Sequence, residues 1–135
     1  EISCSLVGSE MCKETVFRPS KLAVDLSDEY ACKLLESQGY HSHDAARCIR
    51  ELRHRLKDST EFPHEIGLFL GYPPEDVRGF ILHKGNCCKY SGCWKVYGNE
   101  EKAAKEFAKF KKCSDIYYSK WLQGTPIQKL TVACN

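Results

Sequence analysis

No stretch of this chain approaches the ~20 apolar residues that a membrane-spanning helix needs. Nor does it open on the charged-then-apolar pattern of a secretory signal. A cytoplasmic protein without a membrane partner is the expectation. A strong charge of one sign is missing too. The chain has 20 Lys and Arg against 18 Asp and Glu, a net +2, whereas nucleic-acid binding rests on a strongly basic domain or face. The basic run Lys109 to Lys112 is interrupted by Phe110 and reads as a solvated helix face. No nucleic-acid partner is therefore expected. Three signatures of common chemistry are also absent: a glycine-rich phosphate loop, a dinucleotide fingerprint and a Gly-x-Ser-x-Gly elbow. No internal repeat or low-complexity linker divides the chain.

What is present fits an ordinary globular protein. A chain of 135 residues suits one domain with a real core and no need of staples. Hydrophobic residues make up 42% and charged residues 28%, the usual balance for such a domain. Cysteine is the exception. There are 9, an odd number, at positions 4, 12, 32, 48, 87, 88, 93, 113 and 134. An exported disulfide scaffold would show an even set in a short chain. Reduced thiols in a reducing cytosol fit better, some of them as small apolar core groups. The stretch Ser5 to Cys12 has no period of two or 3.6 residues and looks like a translated sequencing-adapter string. Residues 1–13 are expected to be a non-native or disordered leader, and residues 14–135 a single α+β domain.

Along the chain, Thr15–Arg18 leans towards a strand that Pro19 stops. Ser20 can cap a short helix over Lys21 to Leu26. Ser27 is expected to cap a second, with Asp28 and Glu29 at its positive end and Ala31, Leu34 and Leu35 as its apolar face. Gly39 ends that helix. Asp44 should cap a third, on which Ala45, Cys48, Ile49, Leu52 and Leu56 form one stripe. Arg47, Arg50, Glu51, Arg53 and Arg55 form its polar face. Pro63 breaks the pattern. Ile66 to Leu70 is ambiguous between a buried strand and a turn of helix. Tyr72 to Asp76 opens a helix through Val77, Phe80 and Ile81. Cys93–Tyr97 leans towards a strand and is expected to pair with Thr15–Arg18. Asn99 caps the longest helix, Glu100 to about Gln123. Ala103, Phe107, Phe110, Ser114, Tyr117 and Trp121 stripe one face of it, with the four aromatics expected to be buried. Thr125 and Pro126 open a short last turn carrying Ile127 and Leu130. The fold class is helix-rich α+β with a small, mainly antiparallel sheet.

Two segments are densest in residues that are costly to place casually: Phe62 to Ile81 and Gly92 to Gly98. Together with Arg18-Pro-Ser-Lys-Leu22 and Lys111-Lys-Cys113, they resemble an uncharacterised bacterial family, domain of unknown function 3793. The resemblance runs from about Phe17 to Ala133. Relative to that family the chain looks like a member lacking its opening, a cysteine-containing segment. The resemblance implies a family and no reaction.

Four groups could carry chemistry. Cys87, Cys88 and Cys93, with Cys113 on the following helix, could hold a metal, since converging thiolates bind zinc or iron–sulfur clusters. Their spacing is not that of a paired Cys-x-x-Cys site, and core or loop thiols are the alternative. His64 beside Glu65 could act as a general acid or base, oriented by the carboxylate. The alternative is an imidazole that fixes the break after Pro63. His41 and His43, with His83, could ligate a metal, but a solvated loop accounts for them as well. Lys95 and Tyr97 share a strand face and, with Arg78, could hold an anionic ligand near His64. An edge strand with a charged outer face is the bland version. The function expected is a non-enzymatic binding or accessory module in metal or redox handling. The alternative is a small enzyme in which His64 acts on an anionic small molecule. Cofactor and partner are not legible in the residues.

Overall fold

The computed structural model describes residues 19–41, 44–126 and 129. They fall into two compact units, one spanning Arg18–Gly98 and the other holding the long helix that follows. The architecture is helix-rich α+β, with one two-stranded antiparallel sheet among the described residues.

In the first unit, α1 spans Pro19–Ser27, α2 Glu29–Ser37, α3 Ala45–Asp58, α4 Ile66–Phe69 and α5 Pro74–His83. Pro19 opens α1, where its missing N–H is one that a helix start does not use. The cap of α2 is Asp28, one residue later than expected. Its carboxylate accepts from the N–H groups of Tyr30 and Ala31. Ser27 is already spent, since its hydroxyl donates to the Val24 carbonyl at 2.8 Å. Asp44 caps α3 through the Ala46 N–H. The ambiguous Ile66–Leu70 run forms the short helix α4, and Gly71 turns the chain out of it at a φ of +79°.

α1 packs on α2, α3 and α4, while α5 packs on α2 and α4. Leu22, Leu26, Ala31, Leu34, Leu35, Tyr40, Cys48, Leu52, Leu68 and Val77 form one buried cluster. Each leucine there contributes about 1.5–3 kcal/mol by leaving water. Cys48 is a core thiol, and burial first, then the nearby Asp44 charge, pushes it above the ordinary thiol value. Leu56, expected on the same stripe, is 43% exposed near the end of α3.

A hairpin completes this unit. β1 is Tyr90–Ser91 and β2 is Lys95–Val96, paired antiparallel with Tyr90 opposite Val96. The strand expected over Cys93–Tyr97 is shorter because Gly92 to Trp94 makes the hairpin tip, closed by Gly92 N–H on the Trp94 carbonyl. Thr15–Arg18, its expected partner, lies outside the described residues. The hairpin docks on α5. Asp76, Gly79 and His83 recur at the spacing of one helix face, and all three meet the Trp94–Gly98 segment. Trp94 and Val96 are buried, and Tyr72 stacks on Trp94 at 4.7 Å.

In the second unit, α6 spans Glu100–Leu122 and Asn99 caps it through the Lys102 N–H at 2.8 Å. Ala103 is buried, and Phe107, Phe110 and Tyr117 are half-buried. The four aromatics are thus less buried than expected, and Trp121 is 52% exposed. It stands in the last turn of α6 against Tyr118 on its own helix. Lys105, Lys109, Lys112 and Lys120 are exposed. Ile127 and Leu130 lie outside the described residues. No helix among the described residues is long and apolar enough to cross a membrane.

Candidate functional site

His64 and Glu65 are adjacent in the chain, but their side chains enter different surroundings. Glu65 is 3% exposed. Its carboxylate accepts the Tyr40 hydroxyl at 3.0 Å and an Arg55 N–H at 3.3 Å. Arg55 also donates to the Gln38 carbonyl and to Glu51, and its guanidinium lies 4.3 Å over the Tyr40 ring. One guanidinium thus ties the end of α2 and the body of α3 to the segment leading into α4. Burial, reinforced by the adjacent Glu65 charge, pushes the Tyr40 hydroxyl well above the ordinary phenol value. Burial would lower Arg55, but its bond to Glu51 and the neighbouring Tyr40 and Glu65 outweigh that and raise it. His64 is exposed and sits between the Phe62 and Phe80 rings, 5.6 and 5.0 Å away by centroid. No hydrogen bond joins it to Glu65, Arg78, Lys95 or Tyr97 among the described residues.

The second buried carboxylate is Asp76, 3% exposed. It accepts three bonds of 2.8 Å, from Trp94 Nε1 and from the N–H groups of Tyr97 and Gly98. A buried carboxylate is costly unless hydrogen-bonded, and here those donors come from the hairpin. Asp76 is the pin that holds β2 on α5.

Lys95 and Tyr97 do converge, on the turn that follows α5. Lys95 donates to the Gly85 carbonyl, and the Tyr97 hydroxyl donates to the Asn86 carbonyl at 2.9 Å. His83 stacks on the Tyr97 ring at 5.5 Å. Phe80 connects this turn to His64. Its ring and the Lys95 ammonium both lie over Gly85, 3.1 and 3.4 Å from where a Cβ would stand. His64, Phe80, Lys95, Tyr97 and His83 therefore follow one another along the hairpin side of α5. Arg78 is exposed on α5.

The thiols do not gather. Cys87 and Cys88 lie in the turn before β1, whereas Cys93 is at the hairpin tip, the opposite end. Cys113 is on α6, in the other unit. Cys87 and Cys93 are exposed, while Cys88 and Cys113 are half-buried. Among the described residues, no three His, Cys, Asp or Glu side chains come close enough to share an ion. His41 is exposed, and His43 lies outside the described residues.

Sequence reasoning missed Arg55, Tyr40 and the task of Asp76. Arg55 carries a faint signal, seven residues after Cys48 and so on the edge of the buried stripe of α3.

These arrangements define a small helix-rich α+β module in which two buried carboxylates brace the fold, while the candidate thiols Cys87, Cys88, Cys93 and Cys113 are exposed or half-buried. The family model described as Protein of unknown function (DUF3793) matches residues 4–131. The chain belongs to that family. The matched span takes in most of the stretch 1–13 that the sequence alone suggested setting aside. Comparison with curated proteins and with solved structures gives no match.

Proposed function

We propose that this chain is a non-enzymatic binding module, an accessory protein for metal or redox handling in the bacterial cytoplasm. The observation that carries this reading is the fate of Glu65. It is the carboxylate next to His64 in sequence, and it is buried against Tyr40 and Arg55. The acid/base pair of an enzyme is thereby left without the carboxylate that would orient its imidazole. What the hairpin region offers instead is accessible soft donors on a braced frame. Cys87 and Cys93 are free and exposed, and Cys88 is half-buried.

A second reading keeps His64 as an acid or base acting on an anionic small molecule, with Lys95, Tyr97 and Arg78 as ligand-binding groups. The line from His64 through Phe80 to Lys95 favours it. Metal analysis of protein purified without oxygen, followed by thermal titration with thiophilic ions and with anionic metabolites, separates the two. A ligand present at 100 times its Kd adds about 2.7 kcal/mol. The module reading expects a rise with a thiophilic ion that His64→Ala leaves intact. It fails if no metal is retained or taken up. A rise with an anion that His64→Ala removes would install the enzyme reading.

A further inference from the structure

Large apolar side chains left at the surface are scattered over the first unit but crowd together on α6. Ile116, Tyr118, Trp121 and Leu122 are all exposed, Tyr118 by 62% and Leu122 by 63%. Single exposed apolar residues are ordinary, whereas a contiguous patch marks an interaction site. Tyr118, Trp121 and Leu122 stand at the i, i+3 and i+4 positions of one helix face. The Tyr118 and Trp121 rings lie 6.2 Å apart, and half-buried Tyr117 borders them. Ile116 lies on the other side of the helix, in one row with Lys112 and Lys120.

The same stretch is basic. From Ala108 to Leu122 it carries Lys109, Lys111, Lys112 and Lys120 against one acid, Asp115. All four lysines are exposed, and Lys111 is paired with Asp115 at 2.9 Å. At about 100° per residue, Lys111 flanks the Trp121 face on one side and Lys109 and Lys120 flank it on the other. Every basic residue of α6 is a lysine except none is an arginine. Where protein meets protein, arginine is enriched and lysine depleted. A lysine stem instead lies along apolar neighbours while its ammonium reaches a charged surface. Tryptophan and tyrosine are the side chains that settle at a membrane–water boundary.

We propose that the C-terminal half of α6 lies on an anionic lipid surface. Tyr118, Trp121 and Leu122 enter the headgroup boundary, and Lys109, Lys111 and Lys120 meet the lipid phosphates. A basic helix with tryptophan and leucine on one face binds in this way, and a cluster of lysines on it adds attraction to anionic headgroups. Contact of this kind needs no spanning segment of ~20 apolar residues, so it departs from the expected absence of a membrane partner without requiring one. The hairpin thiols take no part in it, and it stands or falls apart from the metal-handling reading.

The test floats the full chain with vesicles of phosphatidylcholine alone and of phosphatidylcholine mixed equally with phosphatidylglycerol. The wild type is expected on the anionic vesicles only, with a blue shift of tryptophan emission that Trp121→Phe abolishes. Lys120→Glu changes the charge by two and should weaken partition about 30-fold. Trp121→Ser and Leu122→Ser should each weaken it about tenfold. Lys57→Glu, an equal change of charge at the exposed end of α3, should leave it within about twofold. Circular dichroism checks folding, and Trp121→Ala and Leu122→Ala stand in if a serine variant misfolds. The assignment is overturned if anionic vesicles do not carry the wild type, if Lys57→Glu costs as much as Lys120→Glu, or if both serine variants bind as the wild type does. Capture on polyglutamate beads without vesicle binding also overturns it, and gives this face to an acidic protein partner.

Discussion

The Tyr40 hydroxyl donates to the Glu65 carboxylate at 3.0 Å, and both side chains are only 3% exposed. The pair joins the end of α2 to the signature segment, and it makes Tyr40 hard to ionise. A raised folded-state pKa adds stability that is complete below the unfolded value and fades as pH climbs through the folded one. The unfolded value is near 10.0, so the loss begins above pH 10. Urea unfolding from pH 8 to 11 should show stability falling at the alkaline end. Tyr40→Phe should flatten that fall and cost about 1–3 kcal/mol at pH 8, where Glu65 loses a donor. An unchanged alkaline slope in the variant would mean that Tyr40 is not the titrating group.

His64→Ala and Glu65→Gln should behave oppositely although the residues are adjacent. Glu65→Gln disturbs a buried acceptor of Tyr40 and Arg55, and about 1–3 kcal/mol is expected. His64→Ala touches an exposed ring between Phe62 and Phe80, so its cost should stay below about 1 kcal/mol. Chemical denaturation measures both, and equal costs would refute the split.

Asp76→Ala should leave three hairpin donors without their acceptor. A loss of about 1–3 kcal/mol per buried unsatisfied group is the general scale. Trp94 reports the event directly, because its ring N–H is one of the donors. In a Trp121→Phe background the emission should shift to the red. Emission identical to the parent would show that the hairpin does not depend on this carboxylate.

Gly79→Ala and Gly98→Ala form an informative contrast. A Cβ at Gly79 would stand 2.3 Å from Tyr97 Cγ and 2.5 Å from its Cβ, atoms held close to the backbone. A Cβ at Gly98 would meet Glu75 Cγ at 2.5 Å, part of an exposed, flexible chain that can swing aside. Alanine normally helps a helix interior by about 1 kcal/mol over glycine. At Gly79 an overpacking cost of about 1–3 kcal/mol should reverse that. Thermal midpoints compare the two, and a Gly79→Ala variant as stable as the wild type would show that Tyr97 can retreat.

Much of the helical frame was legible because it depends on local rules. Asp44, Asn99, Gly39 and Gly124 mark helix ends by chemistry that acts within one turn. Ala31, Leu34, Cys48 and Leu52 repeat at helical steps and are buried as that period requires. The candidate site was less legible because its bonds join distant residues. His64 and Glu65 looked like a working pair through adjacency alone, and the start of α4 sends them to different surroundings. Asp76 looked like an acid favouring a helix start, and only the docked hairpin shows that its oxygens are already committed. Arg55 looked solvated because charge outweighed its place beside the buried stripe.

The fit of Gly79 against the Tyr97 ring also constrains the order in which this sequence can drift. A side chain gained at position 79 while Tyr97 remains would lever the hairpin off α5. A smaller residue gained first at position 97 would open the space and make a later change at 79 harmless. Of the two mutational paths to the same double variant, one passes through an intact intermediate and the other through a damaged one. Relatives that carry a Cβ at the position of Gly79 should therefore already have lost the ring at the position of Tyr97.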